Sequence, residues 1–206
     1  MFTPPDWLPI SPETLARLTA YGALLQEWNA RMNLVAKSTI PAMWERHFLD
    51  SAQLFPLIPP QAKILTDLGS GAGFPGLVLA ALAQGEGRML KVRLIESTAK
   101  KTAFLQEAAA IMGLGNVTIH TARAEAIPPW KSDVVTARAF APLSRLLGYA
   151  APFLQKEHLC LLLKGCRATD EMEEARRHWN FTVELSPSRL PGDGVILALQ
   201  NIRKKS

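Results

Sequence analysis

Residues 67–76, Asp67-Leu68-Gly69-Ser70-Gly71-Ala72-Gly73-Phe74-Pro75-Gly76, decide the fold of this chain of 206 residues. They follow a short apolar run typical of a buried strand and precede a longer apolar run typical of a helix. Three alternate glycines allow a sharp turn and let the backbone approach a ligand where any Cβ would clash. Asp67 ends the strand, where its carboxylate is expected to accept hydrogen bonds from loop amides or from an ammonium group. The segment predicts a ligand-binding loop.

A second acidic residue, Glu96, ends the next predicted strand, 27 residues after Gly69. In doubly wound sheets a carboxylate at this place accepts hydrogen bonds from both hydroxyls of a ribose. The loop also satisfies the G-x-G-x-x-G spacing of dinucleotide-binding proteins, which leaves a dinucleotide-binding Rossmann protein as an alternative. Two features disfavour it. Pro75 has no amide to offer a pyrophosphate, and the residues after Glu96 are needed to complete the sheet, so no substrate domain remains.

From Lys63 onward, short apolar strands alternate with helical patterns. The predicted strands are Ile64–Leu68, Lys91–Glu96, Val117–Thr121, Val134–Arg138, Leu159–Lys164, Thr182–Ser186 and Val195–Ile202. Helical patterns include Ala99–Met112 and Pro142–Phe153. This order predicts an α/β, Rossmann-like fold: a mostly parallel, seven-stranded sheet with helices on both faces, and ligands at the carboxyl ends of the strands. The turn sequence Pro191-Gly192-Asp193-Gly194 predicts a hairpin with an antiparallel last strand.

The first 60 residues have a helical pattern. Ser11-Pro12-Glu13 is a strong helix start, with serine as N-cap and proline in the first turn. A second helix is expected to begin near residues 39–41 and to bury one face, formed by Trp44, Phe48, Ala52 and Phe55. Prolines at 56, 59 and 60 mark its end. We therefore expect an N-terminal helical extension over 1–60, packed on a core over 61–206.

Composition restricts the class of protein. The net charge is +5 and the pI about 9.4, a mild excess that is compatible with a polyanionic partner. No apolar run reaches the roughly 18 residues of a membrane span, and the N-terminus lacks the basic region of a secretory signal, so we expect a cytoplasmic protein with no membrane partner. Cys160 and Cys166 match no zinc or redox spacing, so we expect buried thiols and no metal. No surplus apolar stripe requires a dimer, which predicts a monomer.

Several motifs together carry a family resemblance. The glycine loop with Glu96 resembles the class I S-adenosylmethionine-dependent methyltransferases. Further motifs narrow this resemblance to the RsmG (GidB) family, over roughly residues 15–201. These motifs are Trp28-Asn29, Asn33-Leu34, Arg46-His47-Phe48-Leu49-Asp50-Ser51, Lys100-Lys101-x-x-Phe104-Leu105, Arg138-Ala139-Phe140-Ala141 and Lys164-Gly165.

The resemblance implies an activity, a cofactor and a set of contacts. It implies transfer of the methyl group of S-adenosylmethionine to N7 of a guanine in 16S ribosomal RNA of the small subunit, with S-adenosylhomocysteine as product. The family's cofactor contacts correspond to Gly69, Phe74, Ala124, Glu125 and Arg138 in this chain. With the loop and strand-end residues, the expected cofactor site comprises Asp67, Gly69, Gly71, Gly73, Phe74, Glu96, Ala124, Glu125 and Arg138.

Guanine N7 carries an in-plane lone pair and no proton, so its methylation needs no general base. The site must instead position the base against the methyl group, which can contribute roughly 7–11 kcal/mol. Arg138 and Lys164, at the ends of two predicted strands, are candidate positioning residues as donors to guanine O6 or to phosphates. Arg138 could alternatively pair with Glu125 or Asp67. His47, three residues before Asp50 on one helix face, either covers the cofactor or fixes the helix to the sheet.

Basic side chains are candidates for an RNA-facing patch: Arg31, Lys37, Arg46, Lys100, Lys101, Arg123 and Arg145. Two other functions stay open from the residues alone. A methyltransferase of this fold can act on another acceptor, since function resides in the site. A silent ribosome-assembly factor would bind RNA without catalysis, but it would not need the intact glycine loop and Glu96.

Overall fold

A computed structural model of the chain describes residues 3–205. Its seven strands form one sheet in the order β3-β2-β1-β4-β5-β7-β6. The strands are β1 (Ile64–Leu68), β2 (Lys91–Glu96), β3 (Val117–Thr121), β4 (Ser132–Arg138), β5 (Leu154–Lys164), β6 (Trp179–Pro187) and β7 (Val195–Lys204). The first five are parallel, and β7 is antiparallel to both β5 and β6. The predicted mostly parallel sheet, the hairpin and the antiparallel last strand are confirmed.

The predicted bounds of β1, β2 and β3 agree with the structure, whereas the last four strands are longer than predicted. Buried apolar runs marked one part of each of these strands, whereas the added residues mix buried with exposed or polar positions, such as Asn180 in β6 and Arg203 in β7. In β5, for example, residues 155–159 are exposed or half-buried, so their apolar signal is weak.

Helices cover both faces of the sheet. One face carries α1 (Pro12–Arg31), α3 (Gly76–Gly85) and α4 (Ala99–Ile111), and the other carries α5 (Leu143–Ala150) and α6 (Ala168–Arg176). The Ser11 side chain accepts a hydrogen bond from the Thr14 amide at 3.2 Å, which confirms the predicted N-cap of α1. The sequence pattern missed α6, because it buries little more than Ala168 and Ala175.

The second predicted helix, over residues 37–57, is irregular. It consists of a 3-10 turn (Lys37–Ala42), a π-helical turn (Trp44–Leu49), a short helix α2 (Asp50–Ala52) and a final 3-10 turn (Phe55–Leu57). It begins two residues earlier than predicted, and Pro56 lies within its last turn. Phe48, Ala52 and Phe55 are buried as expected, and Trp44 is half-buried. Hydrogen bonds from Arg138 in β4, described below, hold the π-helical turn against the sheet.

The expectation for the cysteines is half correct. Cys160 is buried in β5, where burial raises the pKa of its thiol to about 12. Cys166 is exposed, because it lies in the loop after β5 and not in the strand. Across residues 3–205, no helix combines the length and the apolar character needed to cross a membrane.

Candidate functional site

The glycine loop connects β1 to α3 at the carboxyl edge of the sheet. Gly69, Gly71 and Gly73 have φ values of +66°, +56° and +92°, a region that side chains with a Cβ rarely adopt. A Cβ at Gly69 would clash with the ring of Phe140, whereas one at Gly71 would meet nothing closer than the Gly69 carbonyl oxygen at 3.8 Å. The surface of Gly71 is therefore open to a ligand, while Gly69 packs beneath a neighbouring loop.

Aromatic residues support this loop from below. The fully buried hydroxyl of Tyr21 in α1 donates to the carbonyl oxygen of Ala72. The Tyr21 ring stacks on Phe74 with centroids 5.3 Å apart, and Phe48 packs edge-on against Phe74 at the same distance. The N-terminal helices thus fix the shape of the loop through packing and one hydrogen bond.

Glu96 joins the loop to the end of β2. One carboxylate oxygen accepts the Gly71 amide at 3.0 Å, and the other accepts the Thr98 amide at 2.8 Å. The side chain is buried. A carboxylate has about four acceptor positions, so two remain for a ligand such as a ribose diol. The hydrogen bond from a loop amide, which the sequence predicted for Asp67, is therefore accepted by Glu96.

Asp67 is fully buried below the loop, and among residues 3–205 neither carboxylate oxygen has a hydrogen-bond partner of regular geometry. Burial raises the pKa of Asp67 to about 7, against weaker opposing effects of Ser70 and of the Gly76 amide. The expected contact with an ammonium group is not available, because the carboxylate does not reach the cavity above the loop. Asp67 lies against Gly76 at the start of α3.

We expect Asp67 to make folding pH-dependent. A carboxyl group whose pKa is about 7 when folded, against 3.8 ordinarily, binds its proton in the folded state alone between those values. Its stabilising effect is full below pH 4 and declines as the pH rises to 7, by at most about 1.4 kcal/mol per pH unit. Urea unfolding at pH 4.5–6.5 should therefore show that the stability of the wild type relative to Asp67→Asn falls with rising pH. Parallel curves for the two proteins would contradict the burial argument.

A cavity of about 610 Å³ lies above the loop. Its walls follow the ends of β1, β2, β3 and β4, as expected for an open α/β sheet. Seven of the nine predicted cofactor residues line it: Gly69, Gly71, Phe74, Glu96, Ala124, Glu125 and Arg138. Asp67 and Gly73 do not, because both pack inward. Ala124 and Glu125 form a single 3-10 turn after β3, with Ala124 buried.

Arg138, at the end of β4, fastens the segment 37–57 to the sheet. Its guanidinium donates to the Arg46 carbonyl oxygen at 3.0 Å, to Nδ1 of His47 at 3.1 Å and to Oδ2 of Asp50 at 3.3 Å. It also lies 4.9 Å above the centre of the Phe74 ring. The partner of Arg138 is thus Asp50, and neither Glu125 nor Asp67 forms an ion pair with it.

His47 is fixed in its neutral form. Because Arg138 donates to Nδ1, the proton lies on Nε2, which is 2.8 Å from the hydroxyl of Thr39. Burial, followed by the positive charge of Arg138, lowers the pKa of His47 from 6.5 to about 4. The ring stacks on Phe74 with centroids 5.1 Å apart. His47 therefore has the structural position that the sequence allowed, on the face shared with Asp50.

Lys164, at the end of β5, is also occupied by protein partners. Its ammonium group donates to Glu171 of α6 at 2.7 Å and to the Ala141 carbonyl oxygen at 3.0 Å. The same oxygen of Glu171 accepts the Leu143 amide at 2.8 Å. The pair holds the loop 139–142, in which Ala139 has a φ of +50°. Lys164 thus positions this loop with two of its three N–H donors.

A second cavity of about 940 Å³ adjoins the first across the loop 139–142. Its walls include the segment 37–57, the end of β5, and the turn between β6 and β7. Arg138 and Phe140 line both cavities, so they stand at the boundary. His47 and Lys164, the other two positioning candidates, line the second cavity alone.

The predicted basic patch is divided between the two cavities. Lys101, Arg123 and Arg145 line the first, and Arg46 lines the second. The other three, Arg31, Lys37 and Lys100, are exposed and line neither of the two, and Arg31 pairs with Glu27.

Sequence reasoning missed three residues that shape the site. They are Tyr21 below the glycine loop, Phe140 at the boundary of the cavities, and Glu171 beside Lys164. Phe140 had a signal, since it belongs to the motif that begins at Arg138. Tyr21 and Glu171 had none, because their partners are 51 and 7 residues away and belong to other elements.

Comparison with known proteins agrees with this geometry. The family model described as rRNA small subunit methyltransferase G (GidB) matches residues 14–190. A protein of that name from Rhodospirillum centenum is 51% identical over 193 residues, covering 94% of this chain and 87% of the relative. One from Rhodospirillum rubrum is 49% identical over 197 residues, covering 96% and 95%.

Solved structures of methyltransferases share the fold at low identity. A SAM-dependent methyltransferase from Aquifex aeolicus superimposes with a TM-score of 0.59 at 14% identity, covering 77% of this chain and 92% of that one. The ribosomal protein L11 methylase from Lactobacillus delbrueckii subsp. bulgaricus gives 0.58 at 15% identity, covering 76% and 77%. These similarities concern the fold.

Proposed function

The chain belongs to the GidB family, rRNA small subunit methyltransferase G, and from this membership we propose its reaction. It transfers the methyl group of S-adenosylmethionine to N7 of one guanine in 16S ribosomal RNA and releases S-adenosylhomocysteine. The observation that supports this most directly is the pair of adjoining cavities, one at the glycine loop and Glu96, the other beyond Arg138 and Phe140.

The first cavity fits the cofactor. Its volume lies within the range of about 300–1,000 Å³ that small-molecule pockets occupy. Glu96 has acceptor positions left for the ribose hydroxyls, and the open surface of Gly71 allows close approach. Ala124 and Glu125 would border the adenine, because they follow β3 on the far side of Glu96. Gly69, Phe74 and Arg138 would border the part nearest the second cavity, while Asp67 and Gly73 shape the loop from below.

When bound, S-adenosylmethionine supplies a methyl group activated by its sulfonium. The bond from guanine N7 to the methyl carbon forms as the bond from carbon to sulfur breaks, and no proton moves. The three positioning candidates, Arg138 at the boundary and His47 and Lys164 in the second cavity, agree with this requirement. His47 has both ring nitrogens in hydrogen bonds, and Arg138 and Lys164 are paired with Asp50 and Glu171. We propose that these groups position the two substrates and that none of them acts as a base.

The test is transfer of labelled methyl groups from S-adenosylmethionine to small-subunit ribosomal RNA that lacks the modification. Chemical cleavage at N7-methylguanine then locates the label. One labelled guanine, cleaved at its own position, is the expected result. The same assay with purified small ribosomal subunits shows whether the particle or the free RNA is the substrate.

Three outcomes would contradict the proposal at different points. Label in the RNA without cleavage would mean methylation at another atom. Cofactor binding without label in RNA or in particles would mean another acceptor. Absence of cofactor binding, with a nicotinamide dinucleotide bound in its place, would favour the dinucleotide alternative. Weak dependence of RNA binding on salt would also argue against a phosphate-contacting surface.

We further propose that the protein acts in the cytoplasm, where the ribosomal RNA is found. We also propose that it acts as a monomer. Within the described chain, the large exposed apolar side chains are four in number and come from four different segments: Leu57, Met89, Ile111 and Leu185. Four side chains supply much less apolar area than the interface of a stable dimer buries. Residues 1–60 form an extension on the core 61–206 in this proposal, and the contacts of Tyr21 and Arg138 couple the two parts.

A further inference from the structure

The two cavities lie side by side along the carboxyl edge of the sheet. The first cavity lies over β3, β2 and β1, and the loop after β4 forms the boundary. The second lies over the ends of β4 and β5 and reaches the turn between β6 and β7, because Lys164 in β5 pairs with Val195 at the start of β7. Neighbouring strands are about 4.8 Å apart, so the turn lies about 10 Å from the boundary.

The charged side chains of the second cavity fall into two groups. Arg138 and Asp50 pair with each other, as do Lys164 and Glu171, and all four shape the protein. The other group is Glu45, Arg46, Arg167 and Asp193. Their side chains are exposed and form no hydrogen bond or ion pair within residues 3–205. Two free guanidinium groups suit phosphates, and two free carboxylates suit N–H donors.

This combination matches a guanosine nucleotide. Guanine has acceptors at N7 and O6 on one edge and the N2 amino donors on the opposite edge. If N7 faces the methyl group at the boundary, the N2 edge must point away from the first cavity. A carboxylate that binds N2 therefore lies at the distal end of the second cavity.

The two free carboxylates differ in position. Glu45 directly precedes Arg46, whose carbonyl oxygen accepts from Arg138, so Glu45 lies near the boundary. Asp193 lies in the turn between β6 and β7, at the distal end. Gly192 and Gly194 flank it and line the same cavity, which keeps the approach to Asp193 free of neighbouring side chains.

We propose that the second cavity binds the acceptor guanosine, and that Asp193 accepts hydrogen bonds from its N2 amino group. This inference rests on the proposed function. Asp193 thereby distinguishes guanine from purines that lack the amino group, while Arg46 and Arg167 are available to the phosphates of the same strand. Phe140 at the boundary and Leu34 supply apolar surface for the faces of the base.

The experiment is a double-mutant cycle between Asp193→Ala and RNA in which inosine replaces the acceptor guanine. Inosine keeps N7, O6 and N1–H and lacks the N2 amino group. For the wild type, we expect kcat/KM for methyl transfer to fall about tenfold on the inosine RNA. For Asp193→Ala, we expect guanine RNA to be about tenfold poorer than for the wild type, with no further loss on inosine RNA. Glu45→Ala is the comparison variant and should keep the inosine penalty.

The outcomes separate this inference from the proposed function. If the wild type does not methylate the guanine RNA, the proposed function fails and the cycle cannot begin. If it does, and the two losses multiply in Asp193→Ala, the sites do not interact and the inference is overturned. Loss of the inosine penalty in Glu45→Ala, with the penalty intact in Asp193→Ala, would overturn it as well. A cofactor Kd that is unchanged in both variants confirms that the first cavity is intact.

Discussion

Replacing Arg138 with alanine is expected to reduce methyl transfer by about 100-fold or more and to lower the free energy of unfolding by about 2–4 kcal/mol. The guanidinium makes three hydrogen bonds to residues 46–50 and covers the Phe74 ring. Its removal takes the ion-pair partner from the half-buried Asp50 carboxylate and the Nδ1 hydrogen bond from the buried His47. The boundary between the cavities then loses its fixed position, and misplacement by about 1 Å is enough to cost 100-fold in rate.

A residue that only positions substrate would lose turnover without loss of stability. Arg138 is expected to affect stability as well, because its hydrogen bonds join the segment 37–57 to β4 and so contribute to the free energy of unfolding. Initial rates at saturating cofactor and urea unfolding of the same preparations measure the two effects.

Two further variants test whether Arg138 acts by holding the segment 37–57 in place or by contacting the substrate directly. Arg138→Lys keeps the charge but cannot form the planar fork, so it should recover little of the activity. Asp50→Asn leaves Arg138 in place and removes the ion pair. If Arg138 acts by holding the segment 37–57, Asp50→Asn should lose part of both activity and stability. Normal turnover in Arg138→Ala would refute any positioning role.

The sequence predicted the bounds of β1 and β2 well because most of their residues are buried on both faces. Leu65, Leu68, Val92 and Leu94 are fully covered, so their apolar runs end where the strands end. The glycine spacing likewise located the loop, since positive φ at Gly69, Gly71 and Gly73 is a local requirement. A backbone turn that requires glycine and a strand that is fully buried can therefore both be predicted from the sequence.

Partner choice among charged residues could not be predicted in the same way. Arg138 pairs with Asp50, 88 residues earlier, and the Gly71 amide bonds to Glu96 rather than to Asp67. Both outcomes depend on how the N-terminal helices and the loop pack in three dimensions. The winding of residues 37–57 is another such case, since its hydrogen bonds to Arg138 come from the other end of the fold.

Replacing Glu96 with alanine is expected to weaken binding of S-adenosylmethionine at least about tenfold, with little change in the affinity for RNA. Two physical effects contribute. The variant lacks the acceptor for the ribose hydroxyls, and it also frees the amides of Gly71 and Thr98 that the carboxylate now holds. A loosened loop must then become ordered when the cofactor binds, which lowers affinity further. Isothermal titration with S-adenosylmethionine and with S-adenosylhomocysteine measures the change.

The two effects separate when the cofactor is varied together with the protein. A cofactor analogue that lacks a ribose hydroxyl should bind more weakly to the wild type and show no such loss with Glu96→Ala, if the carboxylate binds the ribose. Glu96→Gln keeps one acceptor oxygen and should fall between the wild type and alanine. Glu184→Ala, an exposed carboxylate on β6 outside both cavities, should bind the cofactor as the wild type does. Unchanged affinity in Glu96→Ala would mean that Glu96 serves the loop alone and that the ribose is held elsewhere.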